Sequence, residues 1–513
     1  MIDRIADKTG KKRIVILGGG FGGVYAAIHL EKLLARQSAV EICLVSHDNF
    51  FLFTPMLHEI AASDLEITNI VNPLRKLLPK VEVLVGDANQ IDLPNKRVLI
   101  SRGYRNHSQQ LDYDHLVIAL GSITNFYDLP GLAELAVTMK SLRDAIQLRT
   151  QILRYLEEAN SEGDPAERRS LLTFVVAGGG FAGVETVAAL NDFVREALPF
   201  YPNLCEDMLR VMLVHSGPTI LPELGESLGR YTEKVLERRG VEIHLKTRAK
   251  NVTENKVFLA DGVSIPSCTL VWTAGTVPSP IISSLPCRHE RGRIRVNEFL
   301  RVPDWPNVWA VGDCAFVPDI RNPGESHPPT AQHAIREGRV VAQNIAATLL
   351  GRPLRSFSFK TIGLLASIGR RAGVARILGF NFSGFFAWWM WRTVYLSKLP
   401  GLDKKVRVAF DWTLDLLFPK DVCAVYDLDQ RRDFRSPGHT WNASENNGDH
   451  EPMARRLLPA RAGNGLTQVA HLRNELDEWA GALARSREEQ AHGPRTKIQF
   501  VTKGAFAHES ARY

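Results

Sequence analysis

Apolar residues fall along this chain in short, dense runs. Each run is closed by glycine or a polar break and then followed by a stretch with apolar positions at helical spacing. Arg13-Ile14-Val15-Ile16-Leu17 is the first such run. Runs of this kind read as strands buried on both faces, as in a parallel sheet. The pattern predicts a helix over 24–34 and strands at 40–45, 81–85, 98–100 and 116–120. Pro130-Gly131 marks a linker, 141–158 reads as helix, and the polar stretch 160–169 reads as a loop. The same alternation then restarts. A strand is predicted at 174–176, a helix from Val184, a strand at 210–214, mostly helix over 220–239 and a strand at 241–245. A hairpin at 256–259 turns on Asp261-Gly262, and 269–272 is the last strand of the set. Val308-Trp309-Ala310-Val311-Gly312-Asp313 then reads as a return to the first domain, as if a second domain were inserted into it.

Both restarts carry the same glycine pattern. Gly18-Gly19-Gly20-Phe21-Gly22-Gly23 follows the first apolar run, and Gly178-Gly179-Gly180-Phe181-Ala182-Gly183 follows Leu172-Thr173-Phe174-Val175-Val176-Ala177. A G-x-G-x-x-G spacing between strand and helix suits a dinucleotide pyrophosphate at a helix N-terminus. The first glycine makes the turn, the second lets backbone approach phosphate, and the third lets helix and strand close up. Two such loops in one chain predict two dinucleotides, and the chemistry that joins two dinucleotides is hydride transfer.

The residues around these loops refine the expectation. An acid at the end of the second strand of each unit would hold a ribose hydroxyl. Ser46 stands there in the first unit, with Asp48 nearby, and His215 in the second. Without a carboxylate, nothing repels a 2′-phosphate, so NADH and NADPH both stay open. Glu185, two residues beyond the third glycine of the second loop, reads as a helix-start carboxylate near nicotinamide and flavin. Asp313, after a buried strand and a glycine, suits a ribityl or ribose hydroxyl.

Composition adds exclusions. The chain has 513 residues, enough for two or three domains, with 45% apolar and 23% charged residues and a formal net charge of +7. Its six cysteines, Cys43, Cys205, Cys268, Cys287, Cys314 and Cys423, form no C-x-x-C pair. That argues against a dithiol centre and against a cysteine-based metal site, and fits a reducing compartment. The N-terminus lacks a signal-peptide core, and no apolar run is long enough to span a bilayer. Neither a metal nor a nucleic-acid partner is expected.

These residues resemble the pyridine nucleotide–disulfide oxidoreductase superfamily, and within it the type II NADH:quinone oxidoreductases, over roughly residues 11–425. The resemblance rests on both glycine loops and on Asn49-Phe50-Phe51-Leu52-Phe53-Thr54-Pro55-Met56-Leu57. It rests equally on Ala119-Leu120-Gly121-Ser122, Trp272-Thr273-Ala274-Gly275, the Ala310-Val311-Gly312-Asp313 strand end and Pro328-Pro329-Thr330-Ala331-Gln332. It implies FAD near Gly18, Gly20, Gly22, Gly23, Ser46, Pro55, Gly121 and Asp313, with Pro55 beside the isoalloxazine. It implies NADH or NADPH near Gly178, Gly180, Gly183, His215 and Gly275. Glu185 matches the family's glutamate near the flavin, and Gln332 matches the first glutamine of its quinone motif. The second glutamine of that motif is Arg336 here, followed by Glu337. Two alternatives stay open: a soluble NAD(P)H reductase with a non-quinone acceptor, and a redox-sensing flavoprotein module.

The C-terminal third has its own character. Gly379-Phe380-Asn381-Phe382-Ser383-Gly384-Phe385-Phe386-Ala387-Trp388-Trp389-Met390-Trp391 lies beside Arg392, Lys398, Lys404, Lys405 and Arg407. Aromatics next to basic residues suit a helix lying in the membrane interface, and 406–418 adds Phe410, Trp412 and Phe418. The competing reading packs these rings in a core or a homodimer contact. The resulting expectation is α/β: two Rossmann-like dinucleotide-binding domains, the second inserted in the first, plus a C-terminal membrane-associating α/β module. The expected boundaries are 11–160 and 291–350 for the FAD domain, 161–290 for the NAD(P)H domain, 351–430 for the anchoring or dimerising module, and 431–513 for a polar tail. In the tail, 442–452 and 494–513 read as irregular and 466–489 as one charged helix. The expected location is peripheral, on the cytoplasmic side of the cell membrane, with residues 379–420 on the lipid and a quinone as acceptor.

Overall fold

The computed structural model describes residues 3–4, 10–35, 37–103, 107–415, 417–418, 420 and 422–423. The expectations for 431–513 lie outside the described residues.

The first unit grows from β1 (Lys12–Leu17), whose last four residues are buried, into α1 (Phe21–Leu34) and β2 (Val40–Ser46). A short helix, α2 (Leu57–Ala61), is buried along its whole length. The strands β3 (Glu82–Asp92), β4 (Arg97–Arg102), β5 (His107–Asp112) and β6 (His115–Ile118) complete the front part. β1 lies parallel between β2 and β6, with Leu17 opposite both Val45 and Ile118.

The second unit begins at β7 (Val137–Thr138) and α3 (Leu142–Ser161), the latter opened by a capping box between Ser141 and Asp144. The stretch read as a loop over 160–169 contains a helix, α4 (Pro165–Leu171). Asp164 accepts from Ala166 N at 2.9 Å and Pro165 occupies the first helical position, so the polar residues there are a helix start. β8 (Thr173–Ala177), α5 (Phe181–Ala197), β9 (Arg210–Val214), α6 (Glu226–Arg238), β10 (Val241–His244) and β11 (Thr269–Trp272) follow. The five strands lie in the order β7-β11-β8-β9-β10, all parallel. The chain thus enters the second sheet at residue 137, ahead of the polar stretch, because Val137 pairs with Val271.

β12 (Val308–Ala310) returns to the first sheet and lies parallel to β6, Ala310 opposite Ile118. This is the inserted-domain topology. α7 (Ala331–Leu349) then crosses α1 so closely that a Cβ on Gly338 would stand 2.6 Å from the Gly22 carbonyl oxygen.

The last module is a three-stranded antiparallel sheet, β13 (Gly363–Ser367), β14 (Gly373–Ile377) and β15 (Phe380–Ser383), followed by α8 (Gly384–Lys398) and α9 (Leu402–Leu414). No described helix is long and apolar enough to cross a membrane. The aromatic run does not form a single interfacial helix. Its first part is a strand, and on α8 Ala387, Trp388 and Trp391 face inward while Phe385, Phe386 and Trp389 face solvent. Arg392, read as part of the basic surface, is also largely buried. Its guanidinium lies over the Trp388 ring at 4.2 Å and over Trp412 at 4.7 Å.

Candidate active site

The two glycine loops are built alike. Gly18 has φ +110° and Gly178 φ +124°, values that disfavour any side chain. A Cβ on Gly23 would overlap the Gly18 carbonyl oxygen, and one on Gly183 the Gly178 carbonyl oxygen, so the third glycine of each loop is required by its own turn. Gly20 and Gly180 differ: nothing lies within 4 Å of where their Cβ would be. Each is the N-cap of the following helix, no side chain caps that helix, and neither first turn carries an acid. Two helix N-termini therefore present free N–H groups to open space, the donor set a pyrophosphate needs. The residues fit a dinucleotide at both places, FAD at the first and NAD(P)H at the second.

The middle glycines carry a relationship that spacing alone hides. A Cβ on Gly19 would overlap Ser46 Oγ, and one on Gly179 would meet the His215 ring at 2.5 Å. Ser46 is buried directly against its loop. Asp48 is exposed, as its position in the strand-end turn dictates. Gly179 N donates to His215 Nδ1 at 3.1 Å. Burial pushes the His215 pKa down, so the ring is neutral, and with Nδ1 accepting, its proton sits on Nε2.

Gly121 (φ +63°) is open, while Gly275 (φ +137°) is covered by Tyr127, whose Cε2 would lie 2.9 Å from a Cβ there. Asp313 begins the turn after β12 and accepts from Ser122 Oγ at 2.8 Å. Lys140 Nζ donates to the same Ser122 oxygen at 3.1 Å. Pro55 is the second residue of the 3₁₀ turn Thr54–Met56, half-buried. Its neighbour Phe53 packs edge-on to Phe21 of the first loop at 5.9 Å and to Tyr395 of α8 at 6.2 Å. The aromatic segment thereby ties the mouth of the first loop to the C-terminal module.

Glu185 lies in the second turn of α5 and not the first, so the helix N-terminus is not what holds it. Its Oε1 accepts from Ser367 N of β13 at 3.1 Å and from Trp391 Nε1 of α8 at 2.9 Å. His58 Nδ1 of α2 stands 3.8 Å from its Oε2. Burial pushes the carboxyl up to about 8, against the pull of the two donors, so Glu185 is largely protonated at neutral pH. Gln332 is half-buried, with Nε2 donating to Gly363 O at 3.1 Å. Glu185 and Gln332 thus hold opposite ends of the five-residue strand β13, roughly 13 Å apart along it by strand rise. Arg336, in place of the second glutamine, donates to the Gln332 carbonyl at 2.7 Å and lies over the Phe359 ring at 3.9 Å.

Three acids or donors of this region escape a reading by motif. Glu337 is buried, accepts from Gly312 N at 2.7 Å, and is pushed up to about 7 by desolvation. His58 and Glu59 sit buried on α2, and Trp412 Nε1 of α9 donates to both Glu59 oxygens at 3.2 Å. The only sequence signal for them is polarity in an otherwise apolar stretch.

Residues 12–338 match the model of the pyridine nucleotide-disulphide oxidoreductase family, and 362–421 match the NDH2 C-terminal domain. The chain is 33% identical over 423 residues to the type II NADH:quinone oxidoreductase Ndh of Mycobacterium tuberculosis, covering 79% of this chain and 88% of that one. It is 32% identical over 409 residues to demethylphylloquinone reductase NdbB of Synechocystis sp., covering 78% and 96%. Its fold superposes on NDH2 of Plasmodium falciparum, solved with NADH, with a TM-score of 0.74 at 20% identity, covering 80% of this chain and all of that one. The chain belongs to the pyridine nucleotide-disulphide oxidoreductase family, and within it to the type II NADH:quinone oxidoreductases.

Proposed function

We propose that this chain is an FAD-dependent NADH dehydrogenase that passes two electrons from NADH to a membrane quinone without pumping protons. The observation that carries this reading is the pair of open glycine loops, each at an uncapped helix N-terminus, in one chain with the module that closes over Glu185. Bound FAD supplies hydride acceptance and two-electron donation.

The chain's own residues bind and orient. Gly20 and Gly180 leave room for the two pyrophosphates, and the first-turn N–H groups of α1 and α5 bind them. Ser46, Gly121 and Asp313 line the FAD side, and the neutral His215 ring, held by Gly179 N, borders the nicotinamide nucleotide side. Pro55 and the Phe53 ring close the apolar end. Holding both rings in contact supplies the orientation that hydride transfer requires. Glu185, buried and largely protonated, is the group we assign to give a proton to the acceptor. Gln332, tied to Gly363, borders the quinone side.

The quinone and the lipid contact are supported by the C-terminal face. Phe385, Phe386 and Trp389 on α8, and Leu402, Val406 and Phe410 on α9, are exposed, with Lys398 and Arg407 beside them. Rings and cations together suit a helix pair lying on a bilayer. The chain then attaches peripherally, on the cytoplasmic side, where NADH is found.

The test is direct. Purified protein is yellow, NADH bleaches it without oxygen, and a short-chain quinone restores the colour at turnover rates. Colour that no quinone restores overturns the quinone reading, and colourless protein that does not take up FAD overturns the whole.

A further inference from the structure

Next to Glu185 lies a small pocket of about 30 Å³, room for a single water, lined in part by His58 and by Ser367, whose N–H Glu185 accepts. Its walls are unusually charged: His58 and Glu59 of α2, Asp64, Arg370, Arg392 of α8 and Lys420 are among them. His58 belongs to both places. Its Nδ1 stands 3.8 Å from Glu185 Oε2, and its Nε2 is buried with no protein partner. Burial keeps the ring neutral, down to about 3, so it works by passing one proton in and another out rather than by holding a charge. At the far side, Lys420 Nζ pairs with Asp64 Oδ1 at 2.6 Å and lies 3.6 Å from Glu196 Oε2, and both these carboxylates are partly exposed.

The other charged groups of this pocket are engaged. Arg392 stacks between Trp388 and Trp412, 3.9 Å from Asp415. Arg370 binds Glu196, and its N–H donates to Asp192. Asp64 and Glu59 are both pushed up by desolvation, to about 6 and about 8, so they exchange protons near neutral pH. A set of acids able to load and unload, joined by a neutral imidazole to the acid at the reaction site, is the arrangement a proton path needs.

We propose that His58 and the polar cavity behind it, with Glu59 and Asp64 on its walls, form the path by which a proton from water reaches Glu185. This rests on the quinone reading above, because an acceptor that becomes a quinol needs it. Reduction of the quinone adds two electrons and two protons. NADH gives both electrons and one hydrogen nucleus as hydride, and the second proton comes from water. In the path, water protonates Asp64 and the proton crosses the cavity. His58 then takes it at Nε2 and, once the 3.8 Å gap closes to hydrogen-bond length, gives up the one on Nδ1 to Glu185 as Glu185 delivers its own to the acceptor; the remaining ring proton returns from Nε2 to Nδ1 before the next turnover. His58 is a positioning and relay group, not one that touches the quinone.

The test is the exchange of Glu185's own proton. Infrared spectra of the full-length protein, rapidly mixed from H₂O into D₂O near pH 7, follow the downshift of the protonated carboxyl C=O band, and Glu185→Gln identifies that band. His58→Gln and Glu59→Gln are expected to slow the exchange tenfold or more, with His58→Phe slowing it most. In turnover, the ratio of quinone to ferricyanide reduction is expected to fall tenfold in His58→Gln, because ferricyanide consumes no proton. Exchange at the wild-type rate in both His58 variants overturns the path. If any variant fails to fold, the same measurement on Glu59→Gln or Asp64→Asn decides, and unchanged exchange there also overturns it. Wild-type protein that reduces ferricyanide but no quinone instead overturns the quinone reading.

Discussion

The indole N–H of Trp391 donates to Glu185 Oε1 at 2.9 Å, joining a residue 206 positions later in the chain to the second dinucleotide loop's helix. The aromatic module therefore packs onto Glu185 and is not only a surface. Replacing Trp391 with Phe keeps the ring and removes the donor. Because that donor favours the ionised carboxylate, its loss raises the Glu185 pKa further. The unfolding free energy is expected to fall by about 1–3 kcal/mol, the usual effect of leaving a buried polar group one partner short, as read by urea denaturation.

Glu59 and Glu185 make stability depend on pH. Burial pushes each from 4.5 up to about 8 in the folded chain. Between those values the folded state holds a proton that the unfolded state has released, so stability falls as pH rises. Their contribution is complete below about pH 4.5 and lost by about pH 8. Each carboxyl contributes a slope of at most about 1.4 kcal/mol per pH unit. Glu59→Gln is expected to flatten the curve of unfolding free energy over this window relative to wild type, and parallel curves would remove Glu59 from the account.

The glycines of the first loop are expected to separate by role. Gly23→Ala places a methyl on the Gly18 carbonyl, so the protein unfolds at lower temperature and binds no flavin. Gly20→Ala meets no protein atom within 4 Å. It should leave the melting temperature of flavin-free protein nearly unchanged while lowering FAD affinity at least tenfold, because the methyl would enter the open space expected to take the pyrophosphate. Absorbance of bound flavin and a melting curve distinguish the two.

His215 is expected to influence the choice of nicotinamide cofactor. Its neutral ring, held through Nδ1 by Gly179 N, carries no negative charge to repel a 2′-phosphate. His215→Glu supplies an acceptor and a negative charge. The ratio of kcat/KM for NADH to that for NADPH is expected to rise at least tenfold, chiefly through poorer use of NADPH. An unchanged ratio would place the discrimination elsewhere.

The exposed rings of α8 and α9 are expected to govern binding to lipid. Phe385→Ser, Trp389→Ser and Phe410→Ser together remove three side chains that are more than half exposed and leave the inward Trp388, Trp391 and Trp412 untouched. Co-sedimentation with anionic vesicles should fall at least tenfold, with NADH:ferricyanide activity retained. Undiminished binding would show that this face does not carry the contact.

Much of this molecule is decided locally. A glycine that must adopt positive φ beside a strand, as Gly18 and Gly178 do, is legible because no other residue tolerates that turn. The buried strands at 173–177 and 210–214 are legible because a strand covered on both faces leaves a continuous apolar run. Those signals suffice for the doubled dinucleotide fold, the inserted order and the family. What the sequence could not carry is the partnership of distant polar groups. Asp164 reads as loop by composition, and only its side chain's bond to Ala166 N makes it a helix cap. Trp391, Trp412 and Arg392 share the composition of a lipid-facing surface with Phe385, Phe386 and Trp389, and only folding decides which rings turn inward. His58 and Glu59 carry no motif at all. Their chemistry comes from desolvation beside Glu185, and desolvation is a property of everything packed around a group rather than of the residues next to it in the chain.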